Sequence, residues 1–154
     1  MPSACISADD PRADDVRGLL QRHLDFARGC TPPEDVHALD IDGLLDPAVT
    51  FCSYRRDGEL LAVGALKSLN DSHGELKSMH TATAARRQGI GRAMVDYLVG
   101  LARQRGLARV SLETGSTPEF AAARALYARA GFTETGPFGD YRESPNSTFM
   151  TMQL

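Results

Sequence analysis

Arg86-Arg87-Gln88-Gly89-Ile90-Gly91-Arg92 is the stretch on which the reading of this chain turns. It lies between a segment of strand character ending near Thr81 and a helical pattern running to Arg105. Glycines remove side chains that would hold a ligand away from the backbone, and a helix's first turn offers unpaired amides and the positive end of its dipole. Arg86, Arg87 and Arg92 add charge-assisted donors around the same point. A pyrophosphate suits this arrangement; the plainer alternative is a solvated basic loop that caps a helix. The segment is no dinucleotide fingerprint, because Met94 stands where G-x-G-x-x-G needs its third glycine. No G-x-x-x-x-G-K-[ST] occurs either, so neither NAD nor ATP is the expected ligand.

Working outward, Ile90, Met94, Leu98 and Leu101 recur at helical spacing as far as Gly106, a C-terminal stop. A strand follows over 109–114, then a helix opened by Pro118 and ended at Gly131, a turn-rich segment over 136–140 and a last strand over 148–153. On the other side of the loop, strands over 49–55 and 60–69 meet at Asp57-Gly58, a hairpin signal. His73-Gly74 is read as the next turn, leading into a strand over 75–81. The N-terminal third reads as a short strand over 4–7 and a helix over 13–28, with Val16, Leu19, Leu20, Leu24 and Ala27 on one face. A second helix is expected to open at Thr31-Pro32-Pro33-Glu34 and continue through Leu39, Ile41, Leu44 and Leu45 to Asp46-Pro47. Three strands before the first crossover helix exclude a regular Rossmann alternation. The expected fold is α/β of the α+β type: a single domain over 1–154 with a mixed, mostly antiparallel central sheet flanked by helices.

Composition narrows the function classes. With 42% hydrophobic and 24% charged residues, the chain is neither disordered nor fibrous, and its net charge of −3 gives no general pull toward nucleic acid. MPSACISADD lacks a basic segment followed by an apolar one, and no window approaches the roughly 18 apolar residues of a membrane span, so a cytoplasmic protein without membrane or nucleic-acid partners is expected. Cys5, Cys30 and Cys52 are odd in number and lack C-x-x-C spacing, so they read as reduced thiols, Cys52 as a small buried hydrophobe. His23, His37 and His73 show no metal-ligand spacing with one another or with cysteine, and no metal site is expected.

The quoted loop resembles the Q/R-x-x-G-x-G/A motif of the GNAT superfamily of N-acetyltransferases, which binds the pyrophosphate of coenzyme A. Ala123-Arg124-Ala125-Leu126-Tyr127-Ala128-Arg129-Ala130-Gly131-Phe132 is similar to that family's A-x-x-L-Y-x-x-x-G-F signature on the following helix. Order and spacing match over about residues 60–135, whereas the N-terminal third adds little beyond helix content. Segments 137–141 and 145–147 are similar to a small subgroup of uncharacterised bacterial members. One departure stands out: many members place Asn seven residues before the helix tyrosine, against the pantetheine arm, and this chain has Phe120 there.

The resemblance implies acetyl-CoA as cosubstrate, a small-molecule amine as acceptor, direct transfer in a ternary complex, and a homodimer through the C-terminal strands. The coenzyme would contact Met79, His80, Thr81, Arg86, Arg87, Gln88, Gly89, Ile90, Gly91 and Arg92, with backbone amides near Met79 and His80 facing the thioester oxygen. Tyr127 aligns with the family's general acid for the departing thiolate. Glu75, fourteen residues before Gly89, is the expected base, with Glu113 as its competitor. Glu113, Asp140, Tyr141 and Asn146 are the expected acceptor contacts, acidic groups there suiting a cationic amine. Two other readings share these residues: an acyl-CoA sensing module without catalysis, and a protein N-acetyltransferase.

Overall fold

Asp57 and Gly58 both take positive φ, 52° and 83°, the conformation a two-residue hairpin turn requires. They join β2 (Val49–Arg56) to β3 (Glu59–Ser68), with β1 (Ala4–Ala8) pairing antiparallel on the outer side of β2. The computed structural model describes residues 4–154, which build one seven-stranded sheet in the order β1-β2-β3-β4-β5-β7-β6. β4 (His73–Thr81) runs antiparallel to β3, and β5 (Arg109–Gly115) lies parallel to β4 after a helical crossover. β6 (Thr133–Thr135) and β7 (Ser147–Gln153) complete the far side, both joined antiparallel.

Helices cover both faces. α1 (Asp14–Cys30) and the one-turn α2 (Ile41–Leu44) bury Val16, Leu19, Leu20 and Leu44 against Phe51, Val63 and Ala65. On the opposite face α3 (Ile90–Gln104) and α4 (Ala121–Ala130) pack Met94, Val95, Leu98 and Tyr127 on Leu66, Leu76, Val110 and Leu112. The i, i+4 and i+3 spacing of Ile90, Met94, Leu98 and Leu101 sets the buried face of α3, and Gly106 at φ 75° ends it.

Two local expectations are revised, and one strand the sequence did not signal is added. The helix expected from Thr31 is a three-residue 3-10 turn, Pro33–Asp35; Val36 is extended, and a separate start at α2 is capped by Asp40, whose carboxylate accepts from the Gly43 amide. His73-Gly74 begins β4 instead of forming the turn, which falls at Asn70–Ser72, where Asn70 Oδ1 accepts from the Ser72 amide. Gly74 is there for space: a Cβ would come within 2.9 Å of Leu107 Cδ1 and 3.0 Å of Leu66 Cδ1. Finally, β6 is too short and too polar to have been read as a strand.

Two features shape the cleft. β4 and β5 share register only from His73↔Arg109 to Leu76↔Leu112, beyond which each pairs with its other neighbour and the sheet splays open. β4 also carries a bulge, since Ala65 pairs with Lys77 and Val63 with His80, so Ser78 and Met79 together oppose Gly64, with Ser78 at φ 56°. A Cβ at Gly64 would meet Met79 Sδ at 2.7 Å and Met94 Cγ at 2.9 Å. Gly64→Ala is therefore expected to lower stability by about 1–3 kcal/mol, read as a fall in Tm; an unchanged Tm would show that the two methionine side chains yield without cost.

Candidate active site

The splay between β4 and β5 opens into a cleft of 690 Å³ that runs from the glycine loop to the α1 face. At the loop end Gly89 holds φ 77° as the residue before α3, with nothing within 4 Å of where a Cβ would sit. Gly91 brings α3 close to α4, its would-be Cβ 3.2 Å from Leu126 Cδ2. The first-turn amides of α3 have no intrahelical acceptor, and Arg86, Arg87 and Arg92 line the same space. A bare first turn, an open space and three guanidiniums fit a pyrophosphate. Of the expected loop contacts, Gln88 points elsewhere: its side chain accepts from Arg56 and donates to the Ala84 carbonyl.

Met79, His80 and Thr81 line the middle of the cleft, as does Tyr127 from α4. Tyr127 is 7% exposed, and burial followed by the nearby Glu113 charge holds its hydroxyl pKa above the ordinary tyrosine range. His80 Nδ1 lies 3.2 Å from Nδ1 of His23 on α1, so one ring donates and the other accepts. Burial lowers both imidazoles to about 4, leaving them neutral at physiological pH. The sequence gives His23 no signal beyond its place on the apolar face, four residues after Leu19.

Glu75 and Glu113 both reach the cleft from neighbouring strands, in different environments. Glu75 Oε2 accepts from Lys77 Nζ at 3.1 Å and from the Tyr141 hydroxyl, which itself accepts from Lys77 at 2.8 Å. Lys77 and Glu75 side chains are 8% and 4% exposed, so this is a closed, internally neutral triad. Glu113 accepts one hydrogen bond, 3.0 Å from Ser147 Oγ. Burial raises its carboxyl to about 7, against smaller lowering effects of Ser147 and Lys77 and with Glu75 and Asp35 adding to the rise.

Tyr141 is held by edge-to-face contacts with His37 at 4.9 Å and Phe138 at 5.0 Å. Asn146 Nδ2 donates to Asp35 at 2.9 Å, tying the tail to the loop after α1, and both line the cleft. Asp140 does not line it: Gly139 at φ 55° turns the chain so that Phe138 and Tyr141 face inward and Asp140 lies exposed. Phe120, at the position of the missing asparagine, packs edge-to-face on Phe26 at 5.1 Å and forms the wall between loop end and α1 face. Its ring lies directly on Gly115, where a Cβ would stand 2.1 Å from Phe120 Cδ2. Cys52 is buried, with its thiol pushed up to about 11 by burial, and takes no part in the cleft.

A splayed β4–β5 pair, a bulge beside the opening and a glycine-arginine loop at the start of α3 define an acyl-CoA-dependent transferase. The profile of the acetyltransferase (GNAT) family matches residues 16–132, and the chain belongs to that family, with acyltransferase activity and acetyl-CoA as donor. It is 42% identical over 149 residues to the uncharacterised N-acetyltransferase YsnE of Bacillus subtilis, covering 97% of this chain and 99% of that protein. It is 35% identical over 156 residues to the IAA acetyltransferase of Azospirillum brasilense, covering 100% of both. Its fold matches that of a GNAT family acetyltransferase from Elizabethkingia anophelis, solved with acetyl-CoA bound, at TM-score 0.72 and 18% identity over 98% of each chain. No helix among the described residues is long and apolar enough to cross a membrane.

Proposed function

We propose that the protein acetylates a primary amine of a small molecule by direct transfer, with Glu113 as general base and Tyr127 as general acid. The observation that carries this reading is Glu113 itself: a carboxyl raised to about 7, held by one serine and facing the same cleft as Tyr127 and the glycine loop. A base poised near working pH is half ionised there and can take a proton without being locked by a counter-ion. Glu75 lacks that freedom, since Lys77 and Tyr141 both occupy Oε2, and it serves as a positioning residue for Lys77 and Tyr141.

Bound acetyl-CoA supplies the acetyl thioester. The chain's own part begins with Arg86, Arg87, Arg92 and the amides of Gly89, Ile90 and Gly91 holding the pyrophosphate at the start of α3. Backbone N–H groups at the β4 bulge, near Met79 and His80, donate to the carbonyl oxygen as charge develops on it. Glu113 takes one proton from the acceptor ammonium; the C–N bond then forms as the C–S bond breaks. Tyr127 gives its hydroxyl proton to the departing sulfur, and the second proton lost by nitrogen restores it. Neutral His23 and His80 line the path of the amine without competing for its proton.

Coenzyme A thiol release from acetyl-CoA, followed against amino acids, polyamines, aminoglycosides and short peptides, tests this reading. Acceptor-dependent release with one small-molecule class is expected. Release with peptides alone would assign protein N-acetylation instead, and tight acetyl-CoA binding without release for any acceptor would favour a sensing role.

A further inference from the structure

We infer that the acceptor is a primary amine that carries no carboxylate and gains from a second cationic group, so that diamines are preferred and free amino acids are rejected. The inference rests on the acetyltransferase reading above and deepens it.

Charge is segregated along the cleft. Its loop end is lined by Arg86, Arg87, Arg92 and Arg129, whereas its α1 end is lined by Asp35, Glu75, Glu113 and Glu119, with Lys77 as the one cation among the described residues that line that end. Lys77 is spent: it is nearly buried, and it donates to Glu75 and Tyr141. Two guanidiniums nearby are also engaged, and Arg22 on α1, whose charge reaches His80, is exposed and stands outside the lining. Arg124 Nη1 donates to the carbonyls of Gly115 at 2.7 Å and Thr117 at 2.9 Å, and Arg109 Nη2 stands 3.2 Å from His73 Nδ1. The lining imidazoles carry no compensating charge, since burial lowers His23, His37 and His80 alike. A substrate carboxylate entering this end would face carboxylates with no unengaged ammonium or guanidinium among the described residues that line it, in a partly desolvated site where like charges repel strongly.

An ammonium meets the reverse situation. Glu113 is the deep carboxyl with a single hydrogen-bond donor, while Asp35 and Glu119 stand nearer solvent. Between them the walls are aromatic, Phe26 with Phe120 on one side and His37 with Tyr141 on the other. Ring faces accept both methylenes and cations, so a chain with an amine at each end is matched along its length.

The test uses matched pairs that differ only in the carboxylate: cadaverine and lysine, agmatine and arginine, tyramine and tyrosine. Acetyl transfer is measured as kcat/KM, and equilibrium binding is measured by calorimetry on the coenzyme A-loaded protein. Each amine is expected to exceed its amino acid at least tenfold in both readouts, and cadaverine to exceed tyramine. Glu119→Gln should cut the advantage of cadaverine over tyramine about threefold while leaving coenzyme A affinity unchanged. An amino acid that matches or outperforms its amine in either readout overturns the inference while leaving the acetyltransferase reading intact. Selective amine binding without turnover upholds the acceptor assignment and sinks the catalytic reading; no binding of any of the six sinks the acceptor assignment.

Discussion

Glu113→Gln is expected to lower kcat/KM about 100-fold or more and to abolish the acidic limb of its pH profile, whose midpoint in the wild type should lie near the carboxyl's raised value of about 7. Glu75→Gln should retain that limb, because its carboxylate is closed off by Lys77 and Tyr141. If the limb survives in Glu113→Gln and disappears in Glu75→Gln, the base belongs to β4 and the assignment is reversed. The same substitution has a signature in stability. A carboxyl whose folded value is about 7 against an ordinary 4.5 favours the folded state below 4.5 and loses that contribution as pH rises through 7. Glu113→Gln should therefore be more stable than wild type at pH 8, by an amount on the order of 2 kcal/mol, and indistinguishable from it near pH 4. Chemical denaturation at the two pH values separates this effect from a general change in packing.

Tyr127→Phe should lower kcat about 100-fold with acetyl-CoA affinity within about twofold of wild type, since general-acid contributions lie in this range. The ring would keep its edge-to-face contact with Phe132 at 6.0 Å, so the loss is specific to the hydroxyl. Burial and the Glu113 charge together hold the Tyr127 proton tightly in the resting site. When Glu113 takes the acceptor's proton, that charge is neutralised and Tyr127 becomes a stronger acid at the moment the sulfur needs one. Unchanged turnover in Tyr127→Phe would remove the residue from the mechanism and return the sulfur's proton to solvent.

The fold was legible in the sequence wherever a local rule agreed with the tertiary outcome. Asp57-Gly58, the apolar spacing of α3 and the glycine stops at Gly106 and Gly131 each follow from backbone conformation within a few residues. The misreadings are of another kind. His73-Gly74 reads as a turn along the chain because the reason for its glycine, the approach of Leu107 and Leu66, comes from distant parts of the chain. The helix expected from Thr31 failed because Asp40 caps a new start and Val36 is extended. At the site, Arg86, Arg87, Gly89, Gly91 and Tyr127 could be named from motif spacing. The contrast between Glu75 and Glu113 could not, since it depends on which carboxyl Lys77 and Tyr141 reach across the sheet. The pairing of His23 with His80, 57 positions apart, is equally invisible along the chain.

The contact between Phe120 and Gly115 couples the two positions. With the phenyl ring lying on the strand, any side chain at position 115 is barred by the collision a Cβ would make at 2.1 Å, so the glycine is frozen in place. Replacing Phe120 by asparagine would strip the cover from Gly115 and take away the partner of Phe26 in the same step. Neither position can move alone without leaving a gap or a clash. A designer wishing to build a polar contact into this aromatic wall would have to exchange residues 115 and 120 together.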